Sequence, residues 1–208
     1  PISADLSVMR HSLWPGLVQA MVYNLNRQHD RIRLFEVGSV FRGELADIDQ
    51  YQCIGGLIYG DVNPEQWADK SRKVDFFDVK ADVEALLAIG DGQVEFRAEA
   101  HPALHPGQSA RIYQNGQAVG WIGALHPKLN KPLGFGGKAY VFELELAVCL
   151  QSAIPKFTAL SRYPAIRRDL ALVVDNSVVA FEIEHCLKGI ESDILKSIQL
   201  FDVYSGDG

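Results

Sequence analysis

The chain has 208 residues, 48% of them hydrophobic and 22% charged, an ordinary globular composition that excludes a disordered or low-complexity polymer. Its formal net charge of −6 argues against bulk nucleic-acid binding by the whole surface, because phosphate recognition leans on clustered Lys and Arg. Cys53, Cys149 and Cys186 are too far apart for a disulfide framework or zinc site and read as buried, reduced thiols of a cytoplasmic protein.

No apolar run is long enough to cross a bilayer, so no membrane is expected as a partner, and no basic-then-apolar leader opens the chain. The start at Pro1, without methionine, suggests a piece of something longer. The first expected element is a helix: Ser12 can cap it, Pro15 suits its first turn, and Leu17, Val18, Met21, Val22 and Leu25 recur at helical spacing. Its apolar positions Leu13, Trp14, Leu17 and Met21 are the expected source of exposed, association-prone surface. RLFEVGSVFRGE, Arg33 to Glu44, then reads as a strand through Leu34, Phe35, Val37, Val40 and Phe41, with Glu36 facing solvent or a partner chain. An acidic loop, GELADIDQ, separates it from a second apolar strand, CIGGLIYG.

In VDFFDVKADVEALLAIG, Asp75 is placed to cap a helix whose buried face is Phe76, Val79, Val83, Leu86 and Leu87, with Gly90 at its end. Asp75, Asp78 and Asp82 suit the positive end of that helix dipole and need no cation to explain them. Asn115-Gly116 between two apolar runs is the sequence of a type I′ hairpin turn. AYVFELEL places Tyr140, Phe142, Leu144 and Leu146 on one face and Glu143 and Glu145 on the other, the pattern of a sheet wet on one side. Pro155 and Pro164 break the pattern, which puts a domain boundary after Leu150 and divides the chain into residues 1–150 and 151–208. Past the boundary, strand DLALVVD, helix VVAFEIEHCLKGI and strand ILKSIQLFDVYSG make half of a split βαβ, ferredoxin-like unit.

Few residues carry chemistry. His101 and His105 have the spacing of helical zinc ligands, but Pro102 and Pro106 oppose a helix, so they read as loop histidines, and no metal site is expected. Neither glycine group, Gly55-Gly56 or Gly134 to Gly137, has a phosphate-loop ending. Cys149 has no neighbouring base, and no catalytic residue emerges. RNA binding has residue-level support: KFTALSRYPAIRR carries Lys156, Arg162, Arg167 and Arg168 with no acid, and Tyr163, Phe201 and Tyr204 can stack on bases. Against it, six basic and eight acidic residues from position 151 onward leave that part at −2, and Phe201 can equally be core.

In order, MRHSLWPGLVQAMVYNLNRQ, RLFEVGSVFR, VDFFDVKADVEALL, HPGQSARIYQNGQAVGWIGALHP, YVFELEL, SRYPAIRRDLALVVD and SIQLFDVYSGDG resemble the C-terminal part of the bacterial phenylalanine–tRNA ligase beta-subunit family. The resemblance implies an α+β fold. Residues 1–150 would form an inactive class II synthetase-like module, a mixed or antiparallel sheet flanked by helices. Residues 151–208 would be a linker and the first half of a ferredoxin-like anticodon-binding domain. It further implies a non-catalytic part of an alpha2-beta2 ligase, scaffolding the alpha subunit and contributing to binding of phenylalanine tRNA. The whole ligase would use ATP and magnesium, and this part would hold no cofactor.

Class II synthetases end one strand in Phe-Arg-x-Glu, the arginine on the α-phosphate, and Phe41, Arg42 and Glu44 fit those letters. The family's second arginine belongs in a Gly-rich strand-to-helix segment, yet Gly134 to Val148 contains none. Phe41, Arg42 and Glu44 therefore read as a degenerate remnant, the charged end of a strand, with side chains expected to fill the nucleotide's space. The alternatives are an autonomous class II ATP-dependent ligase and a stand-alone interaction module with a degenerate synthetase fold.

Overall fold

Alternating apolar runs build a six-stranded, wholly antiparallel sheet: β1 (Ile32–Glu44), β2 (Asp47–Tyr59), β3 (Val94–Ala98), β4 (Leu104–Gln114), β5 (Gln117–Leu125) and β6 (Ala139–Glu145), in spatial order β1-β2-β6-β5-β4-β3. This is a computed structural model, describing residues 7–44, 47–90, 92–151, 157, 162–190, 192 and 194–204. The chain divides into two units, Pro1–Pro155 and Lys156–Gly208, and the sheet belongs to the first.

Helix α1 (Trp14–Leu25) covers one face of the sheet and α2 (Phe76–Leu87) the other. On the α1 side, Leu13, Leu17 and Met21 pack with Val40, Leu57 and Val141; on the α2 side, Val79, Val83 and Leu87 pack with Ile112, Ile122, Phe142 and Leu144. The central strand β6 is thus buried on both faces from Ala139 to Phe142, which corrects the expectation of a sheet wet on one side there, while Glu143 and Glu145 stay half-buried on the α1 face. Alternation in AYVFELE marks two different cores, and Leu146 has left the strand to open the short helix α4 (Leu146–Cys149). The anticipated sticky face of α1 is likewise its buried face, with Leu13 and Met21 fully inaccessible. Burying each such side chain contributes about 1.5–3 kcal/mol. The most exposed apolar positions of this sheet lie instead on edge strand β1, at Phe35 (76% exposed) and Val37.

Local signals hold at the turns. Asp75 accepts from the Phe77 and Asp78 amides while Asp78 accepts from Asp75, a reciprocal capping box at the start of α2. Asn115 and Gly116 take positive φ angles of 52° and 79°, which a type I′ turn requires, between β4 and β5. The anticipated acidic loop is mostly strand: Asp47 to Gln50 continue the β1–β2 ladder out to Glu44↔Asp47. Once Cys53 faces Gly38, each further pair extends the ladder without closing a new loop. β3, an edge strand paired to β4, and the single-turn helix α3 (Asn130–Leu133) carry too little pattern to be foreseen. Among the cysteines, Cys53 is buried, Cys149 half-buried and Cys186 exposed, so burial holds for two of the three.

In the second unit the expected helix is present as α5 (Ala180–Lys188), but neither expected flanking strand forms a ladder among the described residues. The physical reason is topological. In a split βαβ unit another strand separates the two parallel strands, so DLALVVD and SIQLFDV do not find backbone partners in each other. Leu170 (73% exposed) and Phe201 (62%) consequently lack cover within this unit. Hydrogen exchange of this chain is expected to show weak amide protection from 169 to 204 beside strong protection in the hairpin flanking Asn115 and Gly116. Equal protection in both segments would contradict that reading.

Candidate functional site

Strand register aligns one row of residues across all six strands: Glu36, Gly55, Glu143, Trp121, Arg111 and Arg97, each directly opposite the next. Residues in such a row share a face, here the α1 face. Its left half is acidic and receives the start of α1. Glu143 accepts hydrogen bonds from the Leu13 amide (2.6 Å) and the Ser12 hydroxyl (2.8 Å). Ser12 sits one position earlier than a cap, with Leu13 at the cap position, yet its oxygen still accepts from the Trp14 amide at 3.1 Å. Leu13 fits against Gly55, where an added Cβ would lie 3.2 Å from the leucine's own Cβ. Glu36 is not turned to open solvent or a partner: Arg10 donates to it and also to the Ser39 carbonyl at 2.7 Å.

The right half of the row is aromatic and basic, and a cavity of about 920 Å³ opens between it and α1. Trp14 donates to the Phe142 carbonyl at 3.0 Å and meets His101 edge-on at 5.2 Å between centroids. His101 in turn lies 4.8 Å from Trp121, and the Arg111 guanidinium sits 4.7 Å from the same indole. Burial, and then the charge of Arg111, lower the His101 pKa below its ordinary 6.5. His101 Nδ1 accepts the Ala103 amide at 3.2 Å, as the neutral ring can. His105, expected in a loop, lies instead within β4, in its irregular stretch between Leu104 and Ser109, where its Nδ1 accepts the Gly107 amide; His126, also followed by proline, caps its turn by accepting the Lys128 amide.

Arg42 also lines the cavity. It reaches Glu145 at 3.7 Å and lies 4.8 Å over the Tyr51 ring, the loose, exposed ion pair of a strand end. Glu44, two residues on, lies on the same face and is exposed, whereas Phe41 points to the other face. The space beside Arg42 is open, contrary to the expectation that side chains fill it, because α1 packs chiefly against β1 and β2 and leaves Arg111 and Trp121 only half-buried on this face. Arg111, Trp121 and His101 are the residues that sequence reading missed. Regular alternation out from the Asn115-Gly116 turn would set Arg111 opposite Gly120; a one-residue register shift beside Ile112 and Tyr113 moves Trp121 opposite Arg111, and register across β6 brings the pair to Glu143 and α1.

Beneath α1, burial and then the charge of Glu143 push the Cys53 thiol up to about 11, so it is an inert packing group. Arg72 holds the Asp78 carboxyl below its usual value through two 2.7 Å bonds, and Asp82 faces Arg33. In the second unit Arg162, Arg167, Arg168, Tyr163 and Tyr204 are all exposed, while Lys156 lies outside the described residues. Arg167 touches Asp169 at 3.3 Å and lies 5.4 Å from the Phe201 ring.

Residues 1–146 match the family model described as the phenylalanyl tRNA synthetase beta chain CLM domain, and residues 161–208 match the ferredoxin-fold anticodon binding domain. The chain is 54% identical to a phenylalanine–tRNA ligase beta subunit of Nitrosococcus oceani, over 100% of this chain and 27% of that protein. It is 50% identical to one of Pseudomonas fluorescens and 47% identical to one of Methylococcus capsulatus, over 100% of this chain and 26% of each. The chain thus spans about a quarter of the length of these relatives. A solved pyrrolysyl tRNA synthetase of Desulfitobacterium hafniense superposes with a TM-score of 0.46 at 15% identity, covering 68% of this chain and 48% of that one, too loosely to bear on function.

Two outcomes follow from the geometry. Glu143→Ala removes the charged acceptor of the α1 start and is expected to cost about 1.5–3 kcal/mol in urea unfolding, whereas Arg42→Ala, losing an exposed 3.7 Å pair, costs under about 1 kcal/mol. Because the unfolded chain protonates His101 near the ordinary 6.5 and the folded chain resists, stability is expected to fall as pH drops through 6.5 toward the lowered folded value. His101→Phe should flatten that slope in unfolding curves recorded on either side of the window.

Proposed function

Since this chain belongs to the phenylalanyl-tRNA synthetase beta chain family, we propose that it serves as a non-catalytic portion of a cytoplasmic ATP- and magnesium-using ligase that attaches phenylalanine to its tRNA. Residues 1–150 act as an inactive synthetase-like module that scaffolds the alpha subunit of an alpha2-beta2 assembly. Residues 151–208 are the linker and first half of the anticodon-binding domain. The observation that carries this reading is the succession of the two family matches in one chain, a synthetase-type sheet followed by an anticodon-binding module.

The electrostatics of the sheet support the non-catalytic role. Phosphoryl and adenylate chemistry needs positioned charge held rigid around the reacting group. Here Arg42 is loosely tied to Glu145, and Glu143 is engaged by the amide that starts α1. Among the described residues no cluster of His, Cys, Asp and Glu is arranged to hold a metal ion, and no helix is long and apolar enough to cross a membrane.

RNA contact falls to Arg162, Arg167, Arg168 and Tyr204 of the second unit, with Lys156 preceding them. Their exposure supports it: the arginines are placed to meet phosphates and Tyr204, 80% exposed, to stack on a base. The test is co-expression with a bacterial alpha subunit, followed by co-purification and filter binding of phenylalanine tRNA. Co-purification is expected, and Arg167→Gln with Arg168→Gln should weaken tRNA binding and lower its salt dependence by about one unit of slope for each phosphate left without its arginine. Calorimetry in which the chain alone binds ATP and phenylalanine would instead favour an autonomous ligase. Failure to co-purify would favour a stand-alone interaction module.

A further inference from the structure

The cavity beside Trp121 carries an inference independent of the ligase reading. Across the sheet Arg111 stands directly opposite Arg97, a like-charge pairing that strands ordinarily avoid. Arg97 is neutralised by Glu95, through bonds of 2.8 and 2.7 Å. Arg111 has no carboxylate or carbonyl partner among the described residues; its guanidinium rests against the Trp121 indole. It is half-buried and faces a cavity of about 920 Å³, near the upper end of the volumes of small-molecule sites.

We propose that this cavity binds a small organic monoanion with a flat aromatic body, its anionic group on the Arg111 guanidinium and its ring among Trp14, His101 and Trp121. The guanidinium is planar and pairs with a carboxylate through two parallel hydrogen bonds, a geometry that remains available while it lies against an indole. Val18 and Val22 of α1 with Leu125 and Leu129 add apolar wall that suits a ring, while Gln19 and Asn26 of the α1 side give the cavity a polar margin. The charge count selects a monoanion. Arg42, at the same cavity, already has Glu145, and Glu143 adds a negative wall, so a polyanion such as a triphosphate is matched by too few cations. A neutral His101, held by its bond to the Ala103 amide, adds ring surface without adding charge.

The three tryptophans supply the test, because Trp14 and Trp121 line the cavity while Trp67, 98% exposed on the loop between β2 and α2, reports nonspecific binding. Naphthoate and the neutral isostere naphthamide are titrated into the chain and followed by the indole N–H resonances. Naphthoate is expected to shift Trp14 and Trp121 saturably, to leave Trp67 in place, and to bind about tenfold or more tighter than naphthamide. Arg111→Met should abolish that preference, Arg111→Lys should retain part of it, and Arg33→Met, on the opposite face, should leave it intact. The Lys variant keeps the test available should the Met variant not fold. Equal affinities for the two probes, shifts of all three indoles together, no saturation, or ATP binding more tightly than naphthoate would each overturn the proposal.

Discussion

A single carboxylate organises the first unit. Glu143, in the middle of the central strand, takes the hydrogen bond of the Leu13 amide and of the Ser12 hydroxyl, and so fixes where α1 begins over the sheet. The amides at a helix start lack intrahelical partners and carry partial positive charge, so a carboxylate beneath them satisfies both demands together. With the helix start pinned there, Leu13 falls on Gly55, Trp14 reaches the Phe142 carbonyl, and the helix runs over β1, β2 and β6 with Leu17 and Met21 in the core. Arg10, just upstream, closes the arrangement by pairing with Glu36 and binding the Ser39 carbonyl, while its own carbonyl accepts from Phe41.

The same constraint creates the cavity. A helix of 12 residues, about 18 Å long and about 10–12 Å across, cannot cover the whole face of a six-stranded sheet whose strands lie about 4.8 Å apart. Placed over the acidic half of the row, α1 leaves the basic half at Trp121 and Arg111 only half-buried on that face. On the other face α2 packs against the β4–β5–β6 side, and it is β1 that stays bare, with Phe35 and Val37 exposed. The two helices are offset to opposite sides of the sheet, and each leaves a different strip open. These strips, rather than the buried face of α1, are where apolar or aromatic ligands and partners have access.

The legible parts of the fold were those set within a few residues. The cap at Asp75, the type I′ turn at Asn115 and Gly116, and the helical period of α1 and α2 depend on neighbours in sequence, so the residues specify them directly. The extended stretch of Asp47 to Gln50 was less legible, because an acidic, polar run gives no sign that its partner strand continues alongside. The strand signals of the second unit show the opposite failure. DLALVVD and SIQLFDV have strand composition, but a strand exists only where another backbone pairs with it, and these two are not neighbours in a split βαβ unit.

By itself the sequence determined the three longer helices, the hairpin turn at Asn115 and Gly116, that two modules follow one another and, through matches running the length of the chain, which family it joins. It also supplied Arg42 and Glu44 and the absence of an arginine from Gly134 to Val148. Only the tertiary structure decided what those residues do. Alternation in AYVFELE says that two faces differ, but not that a helix packs on each, and nothing local distinguishes a glutamate facing water from one beneath a helix start. Likewise Arg111 and Trp121 become part of one cavity with Trp14 only because strands far apart in sequence stand in one register, a nonlocal arrangement fixed by packing and hydrogen bonding across the whole sheet.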